Sequence, residues 1–175
     1  MTPARSDAKA HLDAWFAGRL PDDWFAGTPE ILADRDEIIV VGTLPEPELA
    51  AEVTPEARAE ALLARIQGFR EDTRHHRMRI ADEAERRFGR KVAWGAVCGD
   101  QRHLFTTLSV PAMTRLRMPE RRVLDTLVEA GVARSRSHAL AWCVRLVAER
   151  QEDWLADLRE ALEKVEDVRG DGPRD

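Results

Sequence analysis

The chain has 175 residues, 43% of them hydrophobic and 34% charged, and a formal net charge of −5. This is enough chain for one or two domains with a real core, and the composition is that of a folding protein rather than a disordered one. No apolar run approaches the ~20 residues of a membrane-spanning helix, and the N-terminal stretch MTPARSDAKAHLDAWF lacks the apolar centre of a signal peptide, so a cytoplasmic protein with no membrane partner is expected.

Cys98 and Cys143 are too few and too far apart for a disulfide framework or a metal-type spacing. Of the 27 basic residues, 24 are arginine. A GC-rich bacterial genome explains that bias most simply, although arginine also suits phosphate and guanine recognition. Charge is distributed unevenly. Residues 112–150 hold eight Arg against four Asp or Glu, a net +4, while residues 1–111 carry −4 and residues 151–175 carry −5. A basic block between acidic flanks points to a localised anion-binding face.

In chain order, residues 1–30 read as an N-terminal arm. They contain an echo: Trp15-Phe16-Ala17-Gly18 recurs as Trp24-Phe25-Ala26-Gly27. This is either a pair of aromatic anchors that tuck the arm onto the body or a docking motif for a partner. Residues 31–111 read as an α+β domain of β-α-β-β order. Glu37–Leu44 (EIIVVGTL) is a buried strand by its β-branched run, ended by Pro45-Glu46-Pro47. Thr54 then caps a helix that starts at Pro55 and runs to Phe88, with Gly89 as its stop. Leu62, Ile66, Phe69, Thr73, Ile80, Ala84 and Phe88 lie near one face, but Arg70–Arg79 is almost all polar, so the helix breaks there or bridges solvent. Lys91–Cys98 and His103–Val110 alternate as the strands of a hairpin, with Trp94 and Leu108 on the buried face.

Residues 112–150 are the most informative. Met113–Met118 alternates, with Thr114, Leu116 and Met118 on one face and Met113, Arg115 and Arg117 on the other. Pro119 opens a helix striped by Val123, Leu124, Leu127 and Val128, and Gly131 ends it. Ser135 or Ser137 caps a second helix. Its apolar positions Leu140, Val144, Val147, Trp154, Leu158 and Val165 step by about three and four, with Gln151 the polar interruption, as in a long helix with a coiled-coil-like seam. The acidic extension, residues 151–175, continues it.

This order of strand, helix, glycine turn and capped helix resembles the ribbon-helix-helix family of DNA-binding proteins, which includes the Arc and methionine repressors. The resemblance covers about 40 residues of the chain. It implies an obligatory homodimer whose paired strands form a ribbon in the DNA major groove. It also implies that Met113, Arg115 and Arg117 face the bases, and that Arg134-Ser135-Arg136-Ser137, at the start of the second helix, holds backbone phosphate. The physical chemistry agrees: Arg can bond guanine bidentately, Met can touch a thymine methyl, and exposed helix N–H groups attract an anion. The bland alternatives are an edge strand solvated by its arginines and two ordinary serine caps.

Other chemistry is sparse. His75-His76, Cys98 and His103 suggest a metal only weakly, because adjacent histidines point about 100° apart on a helix. Arg65, Arg70, Arg74, Arg77 and Arg79 form a second basic stripe, read as a face salt-bridged by the interleaved Glu71 and Asp72. There is no GxGxxG, GxxxxGK[ST] or GxSxG motif. No catalytic site, metal or cofactor is expected, and the chain is not read as an enzyme. The expectation is a bacterial, homodimeric, sequence-specific DNA-binding protein used in transcription regulation, whose partners are double-stranded DNA, itself, and an effector or protein recognised by the N-terminal domain. The alternative is a dimeric scaffold or interaction protein without nucleic-acid binding.

Overall fold

The computed structural model describes residues 5–50 and 52–170. The chain divides into two compact units, Met1–Val110 and Pro111–Asp175. In the first, helix α1 (Arg5–Arg19) and strands β1 (Glu30–Ala33) and β2 (Glu37–Thr43) precede helices α2 (Pro55–Asp72) and α3 (Arg74–Phe88), then strands β3 (Lys91–Cys98) and β4 (Gln101–Leu104). The second contains helices α4 (Met118–Glu129), α5 (Arg136–Arg150) and α6 (Glu152–Gly170). The fold class is α+β, as expected. No helix among the described residues is long and apolar enough to cross a membrane.

One four-stranded sheet, in the order β1-β2-β3-β4, organises the first unit. β2 and β3 run parallel, which requires a long crossover, and α2 and α3 supply it. The pairings Val40↔Trp94 and Gly42↔Ala96 place Ile38, Val40, Trp94 and Ala96 on one face, and all four side chains are buried there with Leu62, Ile66, Ile80 and Ala84 from the helices. β1 is an additional edge strand, antiparallel to β2. Its turn is closed by Asp34, whose carboxylate accepts from the backbone N–H of Asp36 and Glu37, both at 2.8 Å. The edge strand is short, and only Ile31 of its four residues is buried, so it leaves little periodic signal.

Residues 1–30 are more than an arm; residues 1–4 lie outside the described residues. Leu12 and Phe16 of α1 are 3% and 0% exposed, and Trp24 is 8% exposed. The repeated aromatic pairs therefore act as anchors. Phe16 and Trp24 each meet Trp94 edge-on, with ring centroids 6.4 and 6.1 Å apart. A bidentate pair from Arg19 to Glu83 (2.6 and 2.8 Å) joins the end of α1 to α3. Because that pair is partly exposed, the buried aromatics carry more of the attachment.

Two expected elements are shifted. The hairpin turns at Gly99-Asp100, with Cys98 paired to Gln101, so β4 ends at Leu104; Leu108 is exposed and not part of a strand. The helix expected from Pro55 to Phe88 starts and stops at its signals. Thr54 accepts from Ala57 N–H at 3.3 Å, and Gly89 takes φ 67°. It breaks at Thr73, where the hydroxyl bonds back to the Phe69 carbonyl.

Because Phe16 is fully enclosed, Phe16→Ala is expected to destabilise the first unit by about 3–5 kcal/mol in urea unfolding. A change below about 0.5 kcal/mol, the range of ordinary surface substitutions, would show that α1 contributes no core.

Candidate nucleic-acid interface

The second unit is a helical hairpin with an extended lead-in. Leu124 of α4, Ala133 of the turn and Ala139 of α5 form its buried centre, with Leu116, Leu127, Val128, Leu140 and Cys143 packed around them. The turn is a Schellman motif: Val132 N–H bonds the Leu127 carbonyl and Gly131 N–H bonds the Val128 carbonyl, both at 3.0 Å. Gly131 takes φ 74°, which a residue with a Cβ would adopt only with strain. Ser135 then caps α5, accepting from His138 N–H at 3.2 Å, while His138 Nδ1 accepts from Arg134 N–H at 3.3 Å. The pair satisfies two backbone donors reciprocally, in the manner of a capping box.

The strand expected over Met113–Met118 is not formed. Residues 106–117 are irregular, and Met118 already belongs to α4. The physical reason is that the other described elements of this unit are all helical and offer no sheet edge to pair with. Of the face expected to turn inward, only Leu116 is half-buried; Thr114 is exposed and Met118 is 63% exposed, so the expected alternation is not formed either. Leu116 packs on the helical core, whereas Met113, Arg115 and Arg117 are exposed, Met113 to 99%. Arg117 has extended backbone (φ −80°, ψ 174°), and Arg121 donates to the Leu116 carbonyl at 3.0 Å, tying the lead-in to the first turn of α4.

At the other predicted subsite, Arg134, Ser135, Arg136 and Ser137 are all exposed around the start of α5. Arg136 is committed elsewhere. Its Nε and Nη2 grip both carboxylate oxygens of Asp125 on α4, at 2.6 and 2.8 Å. The Arg136 hydrogen bonds hold the Asp125 carboxyl below its ordinary range, with Coulombic attraction adding to them. This clamp between residues eleven apart had no local sequence signal. Among the remaining predicted residues, the Ser135 hydroxyl is already used as a cap, which leaves Arg134 and Ser137 as the side chains open to an anion.

The long second helix is interrupted. Gln151 leaves helical geometry (φ −125°, ψ 31°), separating α5 from α6. The seam residues Val144, Val147, Trp154, Leu158 and Val165 are exposed by 41–63%, as is Leu162 at 56%. Residues 171–175 of the expected acidic extension lie outside the described residues. Elsewhere, His76 packs edge-on against Trp24 (5.1 Å), Cys98 is buried, and no group of three or more His, Cys, Asp or Glu is placed to hold a metal among the described residues.

Residues 10–104 match the family described as Rv1265-like protein, N-terminal domain, and residues 117–169 match the Mb1296 C-terminal domain. The chain belongs to the Rv1265-like family. Its relatives include Mb1296 of Mycobacterium bovis, and Rv1265 and MT1303 of two Mycobacterium tuberculosis strains. Each is 58% identical over 159 residues, covering 91% of this chain and 69% of the relative. No solved structure matches. The boundary between the two family matches falls in the irregular segment before α4. Neither family description names a chemistry, so any functional reading rests on the residues.

The Asp125–Arg136 clamp predicts a pH effect of definite sign. Because the folded carboxyl titrates below its unfolded value, its contribution to stability is present above the ordinary Asp range and is lost as pH falls through the lowered value. Carboxyl carbon NMR should show Asp125 titrating low in the wild type and near the ordinary value in Arg136→Ala. Identical titrations would show that the clamp does not form.

Proposed function

We propose that this Rv1265-like protein is a homodimeric, sequence-specific DNA-binding protein of the bacterial cytoplasm that regulates transcription. The observation that carries the reading is the lead-in to α4: an irregular segment anchored by Leu116 alone, with Met113, Arg115 and Arg117 exposed and no strand to pair with, whose sequence alternates as a strand does. A second copy offers the missing edge, because two such segments can pair antiparallel. The ribbon so formed fits the major groove, and its outer face carries four arginines, Arg115 and Arg117 from each protomer. Arg117 and Arg115 read guanine, and Met113 touches a thymine methyl.

Backbone phosphate is held at the start of α5 by Arg134, Ser137 and the first free N–H groups of the helix, where the helix dipole adds positive potential. Arg136 stays with Asp125 and fixes the angle of α5 to α4 rather than gripping DNA. The exposed seam of α5 and α6 supports the dimer, since exposed apolar rows of this kind mark an interaction surface. The same seam also fits a dimeric scaffold without DNA, and the two readings separate at the arginines.

The experiment is a titration of wild type, Arg117→Ala and Arg134→Ala against a selected DNA site and a scrambled one, across a salt series. Losing a bidentate Arg–guanine contact costs roughly 1–3 kcal/mol, so Arg117→Ala should weaken the selected site and relax its preference. Arg134→Ala should weaken both DNAs alike and lower the salt slope by about one unit per phosphate contact. If Arg117→Ala leaves both affinities unchanged, or if no sequence is selected at all, the ribbon does not read bases and the scaffold takes its place.

A further inference from the structure

The basic stripe on α2 and α3 was expected to be neutralised by its interleaved acids, and it is not. The arginine ion pairs among the described residues engage Arg19, Arg58, Arg102 and Arg136, and none of the stripe's Arg65, Arg70, Arg74, Arg77 and Arg79. Arg77 is the decisive case, because it is only 6% exposed. Its Nε donates to Thr73 Oγ1 at 2.9 Å and its Nη2 to the Arg70 carbonyl at 2.6 Å. Its guanidinium lies over Phe105, 4.8 Å from the ring centroid. None of these partners is an anion. Burial first, and then the nearby Arg70 and Arg74, lower its pKa to about 10, so it remains a cation at neutral pH.

A buried cation without a counter-charge is costly, and proteins usually pair one. Here the counter-charge has a place to bind. Arg77 lines an open cleft of about 570 Å³ together with Arg70, Arg74, Met78, Trp94 and Phe105. That volume lies within the range of small-molecule sites. The one carboxylate on its wall, Glu71, accepts a hydrogen bond from Gln67 and leaves the three arginines in excess. Arg77 Nη1 makes no hydrogen bond within the described protein, yet it is not sealed from the cleft. Trp94 on the same wall is only 4% exposed, and its indole N–H is sealed inside the protein, so it offers the cleft apolar surface and no donor.

We propose that this cleft binds a small organic anion, a carboxylate or phosphate carried on a flat apolar body. The anionic head meets Arg77 with Arg70 and Arg74 around it, as planar guanidinium groups suit both oxyanions. The body lies against Phe105, Met78 and Trp94. The site is contained in the first unit and does not depend on DNA binding by the second.

The test is calorimetric titration of the full chain with 1-naphthoate, 1-naphthyl phosphate, neutral 1-naphthalenemethanol and inorganic phosphate. Saturable binding of one naphthyl anion per chain is expected, with the neutral analogue and inorganic phosphate both weaker by about tenfold or more, the scale of one charge-assisted hydrogen bond. The tighter of the two naphthyl anions identifies the head group. Arg74→Gln, on the exposed rim, should weaken that binding about tenfold. Arg77→Met, which keeps the length but removes the buried charge, should abolish binding without lowering the unfolding midpoint. The proposal is overturned if neither naphthyl anion binds at millimolar concentration, if the neutral analogue binds as well as the anions, or if Arg74→Gln binds as tightly as wild type. Inorganic phosphate matching naphthyl phosphate would remove the apolar body from the assignment.

Discussion

A β-strand lasts only where a neighbour takes its hydrogen bonds, and that requirement shapes both units of this protein. In the first, the parallel pairing of β2 with β3 demands a crossover long enough to return the chain to the same end of the sheet, and α2 and α3 exist on that path. β1 and β4 then protect the two edges of the pair with short antiparallel strands. In the second unit, the segment before α4 has no neighbour in its own unit and stays irregular, held to the helices through Leu116 alone. Secondary structure in this chain follows the supply of partners as much as local preference.

The break at Thr73 shows the same economy in a helix. The threonine hydroxyl adds a second bond to the Phe69 carbonyl, which still accepts from the Thr73 N–H, and the Arg70 carbonyl accepts from the Arg77 side chain. Thr73 Oγ1 and the Arg70 carbonyl, both at the break, thereby hold the charged Arg77 in the interior. The aromatic floor under it comes from the β4 edge of the sheet, where Phe105 continues the β3–β4 ladder by bonding its N–H to the Trp94 carbonyl at 2.7 Å.

What the sequence revealed and what it hid divide along physical lines. Caps and stops were legible, because Thr54-Pro55, Gly89, Gly131 and Ser135 act through their own backbone and that of a few neighbours. The buried β2 strand and the apolar face of α2 and α3 were legible from periodicity. β1 was not, since four residues with one buried side chain carry no pattern. Neither was the burial of Arg77, which needs a floor 28 residues further along the chain, nor the pairing of Arg136 with Asp125 across a turn. In the candidate interface, the exposed Met113, Arg115, Arg117, Arg134 and Ser137 were identifiable as surface residues of a basic block. The role of Arg136 was not, because an ion partner is a fact of packing and composition does not name it.

The central claim is that the neighbour missing from residues 113–117 is the same segment of a second copy. Isotope-filtered NMR on an equimolar mixture of labelled and unlabelled protein tests it directly. The pairing of two antiparallel segments places backbone Hα protons around Thr114–Leu116 of one copy against those of its partner, so intermolecular contacts should appear there between labelled and unlabelled chains. If contacts in this region are confined to single chains, or if intermolecular contacts arise only along α5 and α6, the ribbon does not form and the DNA-reading head assigned to it is contradicted.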